Sequence, residues 1–183
     1  PFVAYDNHLN IDATGNNDGL VDYGELITMD VTLSNFGMMS ASGVSAQLTC
    51  SNSSVTISDD IDSWGTIASG SSVLVTNAFS VNIADDITDL EIINYELTVN
   101  DNNSNSWTSY FSTTAHAPSL EIGELTIDDG QGNGNGRIEA GETLTFLLPS
   151  NNNGSSDCSG LIGTLSCSNS YVSISNNSTS FGA

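Results

Sequence analysis

Two stretches of the chain place acidic and amide side chains between glycines, which is the residue pattern of a cation-binding loop. The first loop, residues 12–25, reads DATGNNDGLVDYGE, and the second loop, residues 129–142, reads DGQGNGNGRIEAGE. A hard cation such as Ca²⁺ takes about six to eight oxygen ligands, so the chain must wrap tightly around it. Glycine permits the sharp turns that such wrapping needs. The two stretches therefore predict two calcium sites.

The spacing within each loop is similar to that of the helix–loop–helix calcium motif, which has glycine at position 6 and glutamate at position 12. With Glu25 at position 12, Thr14 stands at position 1, where aspartate is expected, and Gln131 does so in the second loop. Asp12 and Asp129, two residues earlier, are the candidate replacements. The alternative is an acidic turn that binds nothing, because Asn, Asp and Gly favour turns. The predicted calcium ligands are Asp12, Asn16, Asp18, Asp22, Glu25, Asp129, Asn133, Asn135, Glu139 and Glu142.

The charge of the chain favours cations as partners. The 183 residues include 22 acids and a single basic residue, Arg137, for a formal net charge of −21. Nucleic-acid binding requires basic side chains that displace counterions from phosphates, so that class is excluded. Anionic membrane surfaces are disfavoured for the same reason, and no apolar stretch is long enough for a membrane helix. We expect no nucleic-acid partner and no membrane insertion.

The sequence contains no pattern that indicates catalysis. His8 and His116 are the only histidines, and their surroundings do not supply the partners of a catalytic triad or a histidine metal site. A pair of carboxylates, as in glycoside hydrolases, is the enzymatic alternative because acids are plentiful. These acids cluster in turns, where solvation or calcium accounts for them. We therefore expect a non-enzymatic protein.

The two loops belong to a longer internal repeat with an offset of 117 residues (118 − 1). The offset aligns Pro1 with Pro118, and about a third of the overlapping positions are identical without any gap. Residues 1–117 are thus expected to be one complete repeat, and residues 118–183 the N-terminal part of a second. Three strand candidates that follow Gly65 have no counterpart in the second repeat. Either the natural protein is longer, or another chain supplies these strands.

Alternating apolar residues predict an all-β chain. Residues 26–34 and 43–50 alternate strictly, and further runs at 54–58, 72–83, 90–99 and 106–115 are separated by turn-forming residues. About seven short strands per repeat predict tandem immunoglobulin-like antiparallel β-sandwiches.

Several segments resemble the immunoglobulin-like repeats, similar to adhesion modules of the CARDB type, that accompany gingipain-type peptidases and other cargo of the type IX secretion system. They are the first loop together with residues 35–37, 41–44, 79–87, 95–101 and 106–111. The resemblance implies an extracellular or cell-surface location, tandem arrays, and a role as stalk, adhesin or filament. The implied partners are neighbouring repeats and a surface glycan or protein ligand.

The alternative function is an accessory module of a secreted hydrolase that binds polysaccharide. Trp64, Trp107 and Tyr110 are the aromatic residues that could stack on sugars. Trp64 is instead expected in the core, because Phe181 occupies the equivalent position and large apolar residues at one position indicate packing.

The three cysteines do not form a closed disulfide framework. Cys50 and Cys167 lie at equivalent positions, in phase with the inward-facing residues of their strands, and are expected to be buried. Cys158 has no counterpart in the first repeat. An extended strand would hold it about 30 Å from Cys167, too far for a disulfide. A bond from Cys158 to another domain or chain stays open.

Overall fold

A computed structural model describes residues 1–181 and divides the chain into two compact units, Pro1–Ala117 and Pro118–Ala183. Residues 1–181 contain strands and turns and no helix, so the protein is all-β. Accordingly, the described part of the chain has no helix of the length and apolarity that crossing a membrane requires.

The first unit consists of nine strands in two sheets. The strands are β1 (Val3–Ile11), β2 (Val21–Asp22), β3 (Leu26–Asn35), β4 (Ala41–Cys50), β5 (Val55–Asp59), β6 (Ile61–Ile67), β7 (Ser72–Ile83), β8 (Ile92–Asn100) and β9 (Ser106–His116). One sheet has the order β1-β3-β7-β5 and the other β2-β9-β8-β4-β6. Neighbouring strands are antiparallel except for the short β2, which is parallel to β9. This is an architecture of the β-sandwich type.

A single hydrophobic cluster fills the first unit, with residues from both sheets. The alternation in β3 is the one predicted, since Ile27, Met29, Val31 and Leu33 are fully buried. The remaining positions of such a strand face away from the core, because side chains alternate between the two faces.

Trp64 lies in this core, as predicted. Its side chain is 4% exposed, its ring centroid lies 5.9 Å from that of Phe79, and its indole N–H donates to the carbonyl of Val31 at 3.1 Å. Cys50 is partly buried and packs against the same cluster. The indole hydrogen bond satisfies the one polar group that burial of a tryptophan would otherwise leave without a partner.

The second unit has only short strands of three residues each. They are β10 (Leu120–Ile122), β11 (Thr126–Asp128), β12 (Thr145–Leu147), β13 (Ser150–Asn152), β14 (Ile162–Thr164) and β15 (Ser178–Ser180). They pair as β10-β13, β11-β12 and β14-β15 in three separate two-stranded sheets. Among residues 118–181 no hydrophobic side chain is buried. In the first unit, β7, β8 and β9 supply much of the core.

The prediction that Cys167 is buried is wrong, because its side chain is exposed. Cys167 has the same sequence periodicity as Cys50, but it lies outside any strand, and within residues 118–181 no second sheet covers it. All three cysteines, Cys50, Cys158 and Cys167, are free thiols.

Candidate functional site

The first loop connects β1 to β3, and its second half is held against the edge of a sheet. Within it, β2 pairs with the end of β9, so that Asp22 lies opposite His116. The backbone N–H of Tyr23 also donates to the carbonyl of His116 at 2.9 Å. Gly19 has a φ of 82°, a left-handed conformation that favours glycine. The loop is therefore a defined turn anchored to the sandwich.

Asp12 is the central hydrogen-bond acceptor of this loop. Its side chain is 3% exposed, and its Oδ2 accepts the backbone N–H groups of Asp18 at 2.9 Å and Gly19 at 3.3 Å. Thr14, which stands where the calcium motif has aspartate, is exposed, and its hydroxyl donates to the carbonyl of Leu26 at 3.4 Å. The structure thus brings Asp12, rather than Thr14, to the inside of the loop.

Glu25 reaches across the loop from its last position. Its Oε1 accepts the backbone N–H of Asn16 at 3.1 Å, and its Oε2 accepts that of Asp22 at 3.3 Å. The Asn16 amide N–H donates to Asp22 Oδ2 at 2.8 Å. Asp18 Oδ1 accepts the backbone N–H of Leu20 at 2.8 Å. The predicted ligands of the first loop therefore lie in one hydrogen-bonded group.

Asp22 has an oxygen that this group does not satisfy. The residue is 4% exposed, and its Oδ1 is buried without a hydrogen-bond partner. Burial raises the pKa of Glu25 above its ordinary value, and the negative charges of Asp22 and Asp12 raise this pKa further. A buried carboxylate oxygen without a partner is costly. The first loop thus holds three interacting carboxylates and one oxygen that requires a positive or hydrogen-donating partner.

The first loop has the oxygen-bearing side chains that a hard cation prefers, but these side chains do not form a complete coordination shell. Among residues 1–181 no three His, Cys, Asp or Glu side chains are already arranged as metal ligands. Asn16 points its amide nitrogen, and not its oxygen, at the Asp22 carboxylate. The pKa of Glu25 is raised mainly by burial, and the neighbouring carboxylates of Asp22 and Asp12 add to this increase. Carboxylate and amide oxygens are the ligands that Ca²⁺ prefers, and rotation of an amide exchanges its nitrogen for its oxygen.

The second loop repeats these hydrogen bonds at a spacing of 117 residues. Asp129 Oδ2 accepts the N–H of Gly136 at 2.9 Å, the counterpart of the bond from Gly19 to Asp12. Glu142 accepts the N–H groups of Asn133 and Glu139, both at 3.3 Å, as Glu25 does from the first loop. Asn135 Oδ1 accepts the backbone N–H of Arg137, as Asp18 Oδ1 accepts that of Leu20. The two loops therefore have the same local conformation.

The aromatic residues considered for sugar stacking do not form a shared platform. Trp64 is buried in the core, and Trp107 is partly buried against the hydrophobic cluster. Tyr110 is 71% exposed. Trp107 and Tyr110 are three residues apart on β9, so their side chains point to opposite faces of the sheet.

His8 lies in an aromatic group rather than among catalytic partners. Its Nδ1 is 2.6 Å from the hydroxyl of Tyr5, and its ring centroid is 4.8 Å from that of Phe111. The rings of Tyr5 and Phe111 are stacked with centroids 4.7 Å apart. Burial lowers the pKa of His8 below its ordinary value. These contacts favour a neutral imidazole with a packing role.

An exposed apolar patch at the β3–β4 connection was not anticipated from the sequence. It consists of Phe2, Phe36, Met38 and Met39, with exposed fractions from 52% to 96%. Comparison of the two sequence repeats could have identified the patch, because the second repeat has polar residues at all four equivalent positions. The counterparts are Ser119, Asn153, Ser155 and Ser156. The patch is therefore a specific feature of the first unit.

Comparison with known proteins identifies no family. No protein-family model and no curated protein matches the chain. The chain is similar to a solved structure, the crystal structure of a conjugative transposon lipoprotein from Bacteroides eggerthii. The sequence identity is 18%, the match covers 61% of this chain and 93% of that chain, and the TM-score is 0.31. This similarity is too remote to bear on function.

Proposed function

We propose that this chain is a non-enzymatic, calcium-stabilised structural or adhesive module of an extracellular or cell-surface protein. The observation that carries the proposal is the buried Asp22 Oδ1, which has no hydrogen-bond partner inside a loop of interacting carboxylates. Water could supply one hydrogen bond to this oxygen, but it would not neutralise the carboxylates around it. A divalent cation does both.

In this proposal Asp12, Asp18, Asp22 and Glu25 hold the ion together with Asn16. When bound, Ca²⁺ neutralises clustered negative charge in a chain whose net charge is −21. The first loop joins the end of β1 to β2, and β2 pairs with β9 of the opposite sheet. An ion held there therefore fastens the two sheets of the first unit at one end.

The proposal includes tandem immunoglobulin-like domains. The sheet orders β1-β3-β7-β5 and β9-β8-β4 correspond to the A-B-E-D and G-F-C sheets of immunoglobulin domains. β6 departs from that pattern, because it follows β5 in the chain but pairs with β4. The matching hydrogen bonds of the two loops support a repeated module. Together with the sequence resemblance, they support a cell-surface array, exported by type IX secretion, whose partners are neighbouring repeats.

Thermal unfolding with and without calcium tests this function. The full chain is melted in EDTA, in excess Mg²⁺ and in excess Ca²⁺. A ligand that binds only the folded state raises Tm by mass action, so Ca²⁺ is expected to raise it by several degrees. Asp22→Asn should remove most of this increase. The control Asp59→Asn, at an exposed position of β5, should retain it. An equal Tm in EDTA and in Ca²⁺ contradicts the proposal.

A glycan array separates the structural role from that of a carbohydrate-binding accessory module. The structural proposal expects no specific glycan binding by the calcium-loaded chain. Specific binding that Trp107→Ala abolishes would favour the accessory module instead, because Trp107 lies near the start of β9, whereas the first loop pairs with the end of this strand. Antibody labelling of intact cells tests the surface location.

A further inference from the structure

We propose that the two loops are unequal cation sites, and that the first loop binds Ca²⁺ more tightly than the second. This inference rests on the proposed function, because it assumes that the loops bind calcium. It adds an order of filling, in which the first loop is occupied at a calcium concentration that leaves the second largely empty.

The first difference between the loops is their charge. The first loop has four carboxylates, those of Asp12, Asp18, Asp22 and Glu25, for a net charge of −4. The second has three, because Asn135 replaces Asp18, and it also carries Arg137. Three negative charges and one positive charge leave a net of −2. The affinity of an oxygen site for Ca²⁺ rises with the number of charged ligands.

The second difference between the loops lies in the hydrogen bonds that the carboxylates of Asp22 and Glu139 accept. Asp22 is buried and has one oxygen without a partner. Its counterpart Glu139 is exposed, and its Oε2 accepts the amide N–H groups of both Asn133 and Asn135. A cation at the second loop must therefore compete with two amide donors for the Glu139 carboxylate. In the first loop the Asn16 amide donates to Asp22 Oδ2 as well, but Asp22 Oδ1 has no competing partner.

The third difference is the position of the only basic side chain. Arg137 is the counterpart of Leu20, and the backbone around the two residues is the same. The N–H of Leu20 donates to Asp18 Oδ1 and that of Arg137 donates to Asn135 Oδ1, both at 2.8 Å. The guanidinium keeps its positive charge at every pH at which the protein is folded. Its charge therefore opposes the binding of a cation at the second loop, and the first loop contains no Lys or Arg.

Tyr23 provides a probe that reports on one loop. It lies next to Asp22 in the first loop, whereas Ala140 occupies the equivalent position in the second. Terbium(III) binds at calcium sites and emits strongly when a nearby tyrosine transfers excitation energy to it. Titration of the full chain with Tb³⁺ therefore reports mainly the first loop, and Tyr23→Phe should remove most of the signal. Calorimetric titration with Ca²⁺ reports both loops.

The expected calorimetric result is two steps whose dissociation constants differ by roughly tenfold or more. The reason is that the net charges of the two loops differ by two unit charges. The tyrosine-sensitised Tb³⁺ emission should saturate with the tighter step. A reciprocal exchange at the equivalent positions sharpens the test. Leu20→Arg should weaken the first site roughly tenfold, and Arg137→Leu should strengthen the second by a similar factor. Arg137→Lys, which keeps the charge, should leave both constants unchanged.

Equal dissociation constants for two sites would overturn the inference while leaving the proposed function intact. Emission that follows the weaker step, or an exchange of Leu20 and Arg137 that changes neither constant, would overturn it as well. A chain that binds no Ca²⁺ at either loop would overturn both this inference and the proposed function.

Discussion

The carboxylate of Glu25 lies so close to the α-carbon of Gly15 that a methyl group on Gly15 would overlap Glu25 Oε1. The second loop has the same relationship, since a Cβ on Gly132 would lie 2.8 Å from Glu142 Oε1. Glycine is needed at these two positions because of space, and not because of backbone conformation. The carboxylates of Glu25 and Glu142 can lie at the centres of their loops only because the adjacent residues, Gly15 and Gly132, have no side chains.

Replacing Gly15 by alanine should therefore impair the first loop. In Gly15→Ala, the methyl group displaces the Glu25 carboxylate from the N–H groups of Asn16 and Asp22. Because a glutamate side chain can rotate away from the methyl group, we expect a small change of Tm in EDTA but at least half of the calcium-induced increase to be lost. Gly132→Ala is the matched variant, and it should reduce this increase less, since we propose the second loop as the weaker site. Equal effects of the two variants would contradict the prediction.

The buried side-chain amide of Asn35 makes four hydrogen bonds in the first unit. It is 1% exposed; its Oδ1 accepts the N–H groups of Phe2 and Gly37, and its Nδ2 donates to the carbonyls of Met39 and Ile67, at 2.8 to 3.1 Å. Asn35→Asp removes both donors and buries a charge. The free energy of unfolding should fall by about 2 kcal/mol or more.

Urea unfolding measures this loss. The matched control is Asn152→Asp in the second unit, where Asn152 makes three similar hydrogen bonds but is exposed. Exposed groups exchange such bonds for water, so the control should cost less than about 0.5 kcal/mol. An Asn35 variant as stable as the control would show that this amide network contributes little.

His8 should make stability depend on pH. Its pKa in the folded protein is lowered by burial, whereas in the unfolded chain it is about 6.5. The unfolded chain therefore binds the proton first as pH falls. The stability due to neutral His8 is present above about pH 6.5 and decreases below it.

The variant His8→Leu, which introduces the residue found at the equivalent Leu125, tests this prediction. Between pH 7 and pH 5 its Tm should fall less than that of the unmodified chain. Tyr5→Phe removes the hydroxyl next to Nδ1 but leaves His8 buried, so it should retain the pH dependence. Identical slopes for the unmodified chain and His8→Leu would refute the assignment.

The apolar patch of the first unit should bind hydrophobic dyes without contributing to folding. The ring centroids of Phe2 and Phe36 lie 6.4 Å apart, and Met38 is 96% exposed. Phe36→Asn with Met38→Ser introduces the polar residues of the second unit. The double variant should show weaker fluorescence of bound anilinonaphthalene sulfonate, and its Tm should change by no more than about 2 °C. A large loss of Tm would place these side chains among the stabilising contacts.

Hydrogen exchange should distinguish the two units within the intact chain. Strands β3 and β8 lie inside their sheets and carry fully buried residues such as Leu33 and Leu97. Their amides should exchange only on global unfolding. Residues 118–181 have three-residue strands and no buried hydrophobic side chain, so they should exchange orders of magnitude faster. Equal protection in β3 and β12 would contradict this prediction.

Much of the fold follows from local pattern. The period-two alternation of Ile27, Met29, Val31 and Leu33 predicts a strand with one buried face, and the structure shows that face in the core. Alternation is a local property that requires no knowledge of partners. The burial of Trp64 was predicted from the repeat alone, since Phe181 replaces it. The burial of Cys167, predicted from its phase with inward-facing residues, was wrong, because burial requires a covering sheet as well as a suitable pattern.

The same distinction applies to the two acidic loops, residues 12–25 and 129–142. The sequence by itself determined which oxygen-bearing residues are close along the chain, where glycine permits the turn, and that two copies exist 117 residues apart. Only the tertiary structure decided that Asp12 rather than Thr14 lies inside the loop. It also decided that Asp22 is buried with an unpartnered oxygen whereas Glu139 is exposed. Burial and unpaired oxygens depend on the strands packed around a loop, and in the first unit β9 is brought there from about 90 residues away.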